Sequence, residues 1–150
     1  MGRGSSKAGG SSKARGGDFS NSLVQDTLYH GTNVNSITSF STSGRESNGA
    51  IFFADDPDYA EEEAYVKQES RGGEKTMYEV KLNIQNPMEV TLNGDEFGDP
   101  ISERKYIKAA KKAGNDSVIF HSNTGYDYMD QTFYAVFDPK QIKITGKKKI

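Results

Sequence analysis

Alternation is clearest between Met77 and Ile84, where Tyr78, Val80, Leu82 and Ile84 are set against Met77, Glu79, Lys81 and Asn83. A period of two predicts a half-buried strand with the Tyr78 set inward. Ala50–Ala54 is a short apolar run between turn residues, the pattern of a buried strand. Asp55-Asp56-Pro57 then offers a cap and a first-turn proline. They open a predicted helix over Pro57–Gln68 with Tyr59, Ala60, Ala64 and Tyr65 on its inner side. Upstream, Thr27–His30 reads as a short strand. The polar stretch Asn33–Ser47, anchored only by Ile37 and Phe40, reads as a short helix or turn followed by a loop. Downstream, Asn86-Pro87 breaks the long strand, Met88–Leu92 forms another, and Asn93–Pro100 is a polar loop. A second helix starts at Ser102 with Glu103 and runs to Ala113, closed by Gly114, with Ile101, Ile107 and Ala110 inward and lysines outward. Asp116–Phe120 and Thr132–Phe137 are strands around a tyrosine-bearing loop at His121–Met129, and Gln141–Ile144 closes the domain.

These elements, about six short strands with two or three helices, make an α+β domain. The helices interrupt the strands without the regular alternation of a doubly wound sheet. No GxGxxG or Walker sequence is present. Residues 1–22 are Gly, Ser, Lys, Arg and Ala with almost nothing apolar. Such a segment cannot bury enough surface to offset its ordering entropy, so it is expected to be a flexible tail ahead of a folded domain at 23–150.

Composition narrows the chemistry. The 150 residues suit one domain with a single core. The absence of cysteine excludes disulfides and thiolate metal sites. The two histidines, His30 and His121, stand far apart, so no histidine cluster argues for zinc and no metal is expected. No apolar stretch approaches the length of a membrane span, and the N-terminus lacks the hydrophobic core of a signal peptide, so a cytoplasmic protein without membrane contact is expected. Net charge is −2, unevenly spread. Arg3, Lys7, Lys13 and Arg15 give the first 17 residues +4, leaving −6 on the rest. An acidic body argues against duplex DNA binding as the main task, although the basic tail offers a weak nucleic-acid tether. The run Lys147-Lys148-Lys149 reads as solvated.

Several charged or hydroxylic motifs have ordinary structural readings. Glu61-Glu62-Glu63 lie about 100° apart on a helix and do not converge. Asp55-Asp56 is a helix cap before it is a magnesium site. Ser41-Thr42-Ser43 lacks the strained turn and neighbouring base of a serine nucleophile. The rings carry more information: eight tyrosines and eight phenylalanines stand against no tryptophan, and Phe52, Phe53, Tyr59, Tyr65, Tyr126, Tyr128, Phe133 and Tyr134 fall in a few segments. Tyr29-His30-Gly31-Thr32 ends the first strand with one of only two histidines. A flat face beside a histidine suits a planar aromatic ligand. Neighbours on a strand point to opposite faces, so alternation assigns one of Phe52 and Phe53 to that face.

Four blocks in order carry a resemblance. They are YHGT at 29–32, GAIFFADDPDYAEEEAY at 49–65, AGNDSVIF at 113–120 and FYAVFDPKQIKI at 133–144. Together they resemble the ADP-ribosyltransferase superfamily, in the branch of diphtheria toxin and the poly(ADP-ribose) polymerases. They are most similar to the small ADP-ribosyltransferase domains of phage and mobile-element polyvalent proteins. The resemblance spans about residues 27–144. It implies a small split β-sheet with helices around an NAD+-binding cleft, and a toxin-like transfer of a single ADP-ribose from NAD+ to a macromolecular acceptor, protein or nucleic acid, with release of nicotinamide. It also implies a phage-encoded protein acting in a bacterial host, or one associated with the virion. A catalytically silent NAD+ or ADP-ribose binder, or a phage structural protein of the same fold, is the alternative.

Roles follow by position. His30 would hydrogen-bond the adenosine ribose, Gly31 would give backbone contact to the nicotinamide amide, and Thr32 would complete that strand's part of the site. Phe52 stands at the place of a motif tyrosine, and Tyr65 would stack on nicotinamide. The catalytic glutamate of the last motif is replaced by Phe133, which keeps a surface for NAD+ but no carboxylate. Gln131, two residues earlier, would share its face and orient a ribose or an acceptor. Asp130 would reach the site only through a bulge. Members without the glutamate are mono-transferases, so its loss argues against polymer formation more than against transfer. The Ser-Thr-Ser segment resembles a motif of the other branch but falls in the wrong place and lacks its first-strand arginine.

Overall fold

The computed structural model describes residues 19–42, 49–93, 96, 99–123 and 131–150. Among these, seven strands form one mixed sheet: β1 (Leu28–Thr32), β2 (Ile51–Ala54), β3 (Thr76–Leu82), β4 (Pro87–Asn93), β5 (Ser117–Asn123), β6 (Thr132–Val136) and β7 (Ile142–Lys149). Two helices, α1 (Pro57–Arg71) and α2 (Pro100–Ala113), complete an α+β fold. The strand order is β4-β5-β6-β2-β1-β3-β7. Only β4 and β5 run parallel, joined through α2; every other neighbouring pair is antiparallel.

The sheet is split in the middle. β1 pairs with β3 over five residues, Leu28↔Val80 to Thr32↔Thr76, but with β2 only at Tyr29↔Ala54. Two cores form on the two faces of the sheet, β2 giving Phe53 to one and Phe52 to the other. Leu28, Phe40, Phe53, Tyr78, Val80 and Leu82 pack on one side. Val90, Leu92, Ile107, Ala110, Val118 and Phe120 pack on the other. Past Tyr29 and Ala54 the two strands diverge, and a cleft opens at the seam.

Local signals account for the helices. Asp56 caps α1 by accepting from the Asp58 N–H at 2.9 Å, with Pro57 at the first helical position. Asp99 caps α2 in the same way, followed by Pro100, and Gly114 ends it in the left-handed region at φ 86°. The second helix therefore starts earlier than Ser102, and Ile101, in its first turn, is 73% exposed rather than inward. Ile107 and Ala110 are buried as the pattern predicts. The stretch 33–42 holds no helix; residues 43–48 lie outside the described residues, as do Asp130, Tyr126 and Tyr128.

Two boundaries differ from expectation because backbone partners lie far away in sequence. Lys147-Lys148-Lys149 belongs to β7, paired with Tyr78, Met77 and Thr76. Lysines suit such an edge strand, since they keep it solvated and discourage pairing with another chain. At the other end, a 3-10 turn at Phe19–Asn21 leads to a buried Ser22. Its Oγ accepts the Ile84 N–H at 2.9 Å, so the sheet holds the chain one residue before Leu23; residues 1–18 of the predicted tail lie outside the described residues.

The closing motif DPKQI is a structural clasp. Gln141 is fully buried: its Oε1 accepts from Phe137 N–H and Asp138 N–H, and its Nε2 donates to the carbonyls of Asn83 and Asp116. One amide thereby ties β6, β7, the end of β3 and the start of β5.

Candidate active site

The seam cleft has a volume of about 470 Å³. Gly31 sets its floor. A Cβ at position 31 would overlap the carbonyl oxygen of Ala60, because α1 lies directly on β1 and meets it through the buried Ala60 and Ala64. Only a strand residue without a side chain admits the helix this closely.

His30 bridges the seam. Its Nδ1 lies 2.8 Å from the Phe52 carbonyl. A carbonyl only accepts, so Nδ1 carries the proton and Nε2 is left as an acceptor. The ring meets Phe40 edge-on at 5.0 Å and Phe53 at 5.4 Å, and part of its surface still faces the cleft. Loss of solvation, then the positive Lys67 beside it, lower the imidazole to a pKa of about 4, against the opposing bond to Phe52. His30 is therefore neutral near pH 7.

The α1 face along the cleft is ordered. Tyr59, Glu63, Lys67 and Arg71 follow at intervals of four, and all line it. At 1.5 Å of rise per residue, Lys67 lies about 6 Å and Arg71 about 12 Å beyond Glu63 along the axis. Lys67 donates to the Gly31 carbonyl at 2.8 Å. The Tyr59 ring meets Phe133 edge-on at 4.9 Å, and Glu63 lies one helical turn further along α1. Burial first, then the Glu63 charge, push this phenol well above its usual range. From the first turn of α2, Glu103 also lines the cleft. Burial, followed by the Asp99 and Glu63 charges, pushes its carboxyl up to about 7.

Of the residues singled out in the sequence, His30, Gly31, Phe52 and Phe133 border the cleft. Both Phe52 and Phe53 do so, where alternation assigned one. The seam exposes the edge of β2 rather than one face, so residues pointing either way reach it. Phe52 is half-buried and stacks on Phe120 at 6.0 Å. Thr32 is buried and pairs with Thr76. Tyr65 is 53% exposed and lines a separate hollow with Val66, Lys75 and Ile150, because it lies one residue past Ala64 and turns away from β1. Gln131 precedes β6 rather than continuing it. Its backbone is bound to Ser122, and its buried Oε1 has no partner among the described residues. Among the described residues no group of three or more His, Asp or Glu side chains is arranged to hold a metal ion, and no helix is long and apolar enough to cross a membrane.

Tyr59, named in the sequence among the rings and on the inner side of α1, borders the cleft, whereas Glu63, Lys67, Arg71 and Glu103 are the cleft residues that sequence reasoning missed. The spacing of four along α1 was a readable signal. The acidic trio indeed does not converge, and Glu63 is the one member sharing a face with Tyr59 and Ala60. Glu103 had no signal, since its partners come from α1.

The seam thus joins a split sheet, a histidine, a close-packed glycine and aromatic walls in one cleft. The family model described as ADP-ribosyltransferase in polyvalent proteins matches residues 26–149, and the chain belongs to that family. No curated protein matches it. The family's general chemistry is ADP-ribosyl transfer.

Proposed function

We propose that the cleft binds NAD+ and that the protein transfers one ADP-ribose from it to a macromolecular acceptor, releasing nicotinamide. The order of charge along α1 carries this reading. NAD+ has a cationic nicotinamide ring at one end and an anionic pyrophosphate towards its middle. Along α1 the cleft has the carboxylate of Glu63 and then the cations Lys67 and Arg71. A molecule seated with nicotinamide towards Tyr59 and Phe133 and phosphates towards Lys67 and Arg71 meets opposite charges at both places. Neutral His30, its Nε2 an acceptor, suits a ribose hydroxyl donor. In this seating Tyr59, not Tyr65, offers the second ring. The protein's contribution is orientation of the ribose and electrostatic support of the cation that forms as nicotinamide leaves. The acceptor is a protein or nucleic acid, in keeping with a phage or mobile-element role against a host macromolecule.

Incubation with NAD+ and mass detection of nicotinamide tests the activity; calorimetric titration with NAD+ tests the site. Nicotinamide release and saturable binding are expected. A folded protein that does neither overturns the reading. Phe133 favours a second reading, a silent binder of NAD+ or ADP-ribose, distinguished by binding without release.

A further inference from the structure

We propose that Glu103 is the catalytic base that takes the proton of the attacking acceptor, an assignment that rests on the reading of the cleft as an NAD+ site. Transfer requires two things of the protein at the ribose. The bond from ribose C1′ to the nicotinamide nitrogen breaks, and its electron pair goes to that nitrogen, neutralising the ring and leaving positive charge on the ribose. The acceptor, a protic nucleophile, then forms the new bond to C1′ with a lone pair and must lose its proton. NAD+ and the protonated acceptor thus become ADP-ribosyl acceptor, nicotinamide and a proton. Paired carboxylates divide such work between charge stabilisation and proton transfer.

Phe133 can do neither, and the carboxylates lining the cleft among the described residues are Glu63 and Glu103. They are not equivalent. Glu63 lies one turn of α1 from Tyr59, the ring that contacts Phe133. It is placed to face the ribose cation. Glu103 comes from the other helix, α2, and is rigidly based. Its N–H donates to the Asp99 carbonyl at 3.1 Å, and Asp99 is held by Ser102 Oγ at 2.8 Å. A second carboxylate in the same cleft, held by a different helix from the ribose-facing one, is available to the incoming nucleophile.

The groups around Glu103 support the role. Asp99 lies on its own helix, and Glu63, with Tyr59, faces it from α1. Lys67 and Arg71 lie further along α1, while β2 and β6 contribute Phe52, Phe53 and Phe133, which carry no charge. With its carboxyl near 7, Glu103 exchanges protons at neutral pH, where a general base is most effective. His30, near 4, does not titrate there. A glutamate serving only the helix N-terminus would gain by staying exposed. Half-burial near two other carboxylates opposes stability, the pattern of a functional group.

The test compares nicotinamide release, NAD+ affinity and melting temperature in the native protein, Glu103→Gln and Glu103→Asp between pH 5 and 9. The native rate should rise through about pH 7. Glu103→Gln should lower it ~100-fold or more, the scale of general-base help, and abolish the pH limb, with NAD+ affinity within about twofold. Its melting temperature should hold or rise. Glu103→Asp should retain the limb at reduced rate, and it serves alone if the glutamine variant does not fold. A Glu103→Gln variant with native rate and pH profile overturns the assignment. So does an aspartate variant without the limb, a glutamine variant that loses NAD+ binding, or a native protein that binds NAD+ without releasing nicotinamide. Failure of the native protein to bind NAD+ at all overturns instead the reading of the cleft, and this assignment with it.

Discussion

The Nδ1–H of His30 donates to the Phe52 carbonyl across the seam where β1 and β2 part, at 2.8 Å. The bond fixes both the tautomer and the orientation of the ring. It also replaces, with one side chain, part of the strand pairing that the split forgoes. Loss of this anchor in His30→Ala is expected to weaken NAD+ binding by about 1–3 kcal/mol, the scale of removing one partner from a buried polar pair. Calorimetry on the folded variant decides it; native affinity would remove His30 from the site.

The same burial has a pH signature. His30 is lowered to about 4 when folded, against 6.5 when exposed, so between these values the unfolded chain binds more protons. Its contribution to stability is present above pH 6.5 and is lost as pH falls towards 4. Glu103 acts oppositely: with a folded value near 7, its effect makes stability fall as pH rises from about 4.5 to 7. Melting temperatures of His30→Gln against the native protein cancel the Glu103 effect. The native protein should lose more stability than the variant between pH 6.5 and 4.

Gly31→Ala should cost about 3 kcal/mol or more, since its methyl group meets the α1 backbone at Ala60 rather than a side chain that can turn aside. Denaturant titration gives the number. A cost below about 1 kcal/mol would mean that α1 shifts readily on β1, contrary to the packing through Ala60 and Ala64.

Ser22→Ala leaves the buried Ile84 N–H without its hydroxyl partner, and a loss of about 1–3 kcal/mol is expected. The Leu23 N–H still donates to the Ile84 carbonyl at 2.7 Å, so the variant should fold. A chain cut to start at Leu23 should show the same deficit, whereas one starting at Phe19 should not.

Gln141→Glu sets a carboxylate oxygen against the carbonyls of Asn83 and Asp116, which now receive N–H bonds. A loss of about 3 kcal/mol or more is expected, the range for a buried charge without a partner. Thermal unfolding checks it, and native stability would disprove the clasp.

With Phe133 at the strand position facing Tyr59, transfer should stop at one ADP-ribose. Elongation needs the 2′-hydroxyl of an attached ADP-ribose to be bound and polarised by a carboxylate at position 133, a task separate from the base role of Glu103, and such assistance is worth about 10²–10⁴-fold. Mass spectrometry of the modified acceptor should show single additions. Polymer from the native protein would refute the assignment.

Strand periodicity in 77–84, the Asp56-Pro57 start of α1 and the run 50–54 were legible in the sequence, because caps and alternation act within a few residues. Membership of an ADP-ribosyltransferase family was legible too, through YHGT, IFFAD and the closing FDPKQI in order. The extent of β7 was not, since its lysines become strand only by pairing with Tyr78 and Met77. Nor was the cleft's working face. Position along the chain put Tyr65 and Gln131 in the site, whereas helix geometry turns Tyr65 outward, and Gln131 stands before β6 begins. Glu103 lies forty residues from Glu63, and nothing local brings them together. Local patterns determine which element a residue joins. Only the packing of α1 on β1, which needs Gly31 beneath Ala60, and of α2 on β4 and β5 decides which side chains share the cleft and how they titrate. Burial and charge coupling depend on distance in space, which sequence separation does not measure.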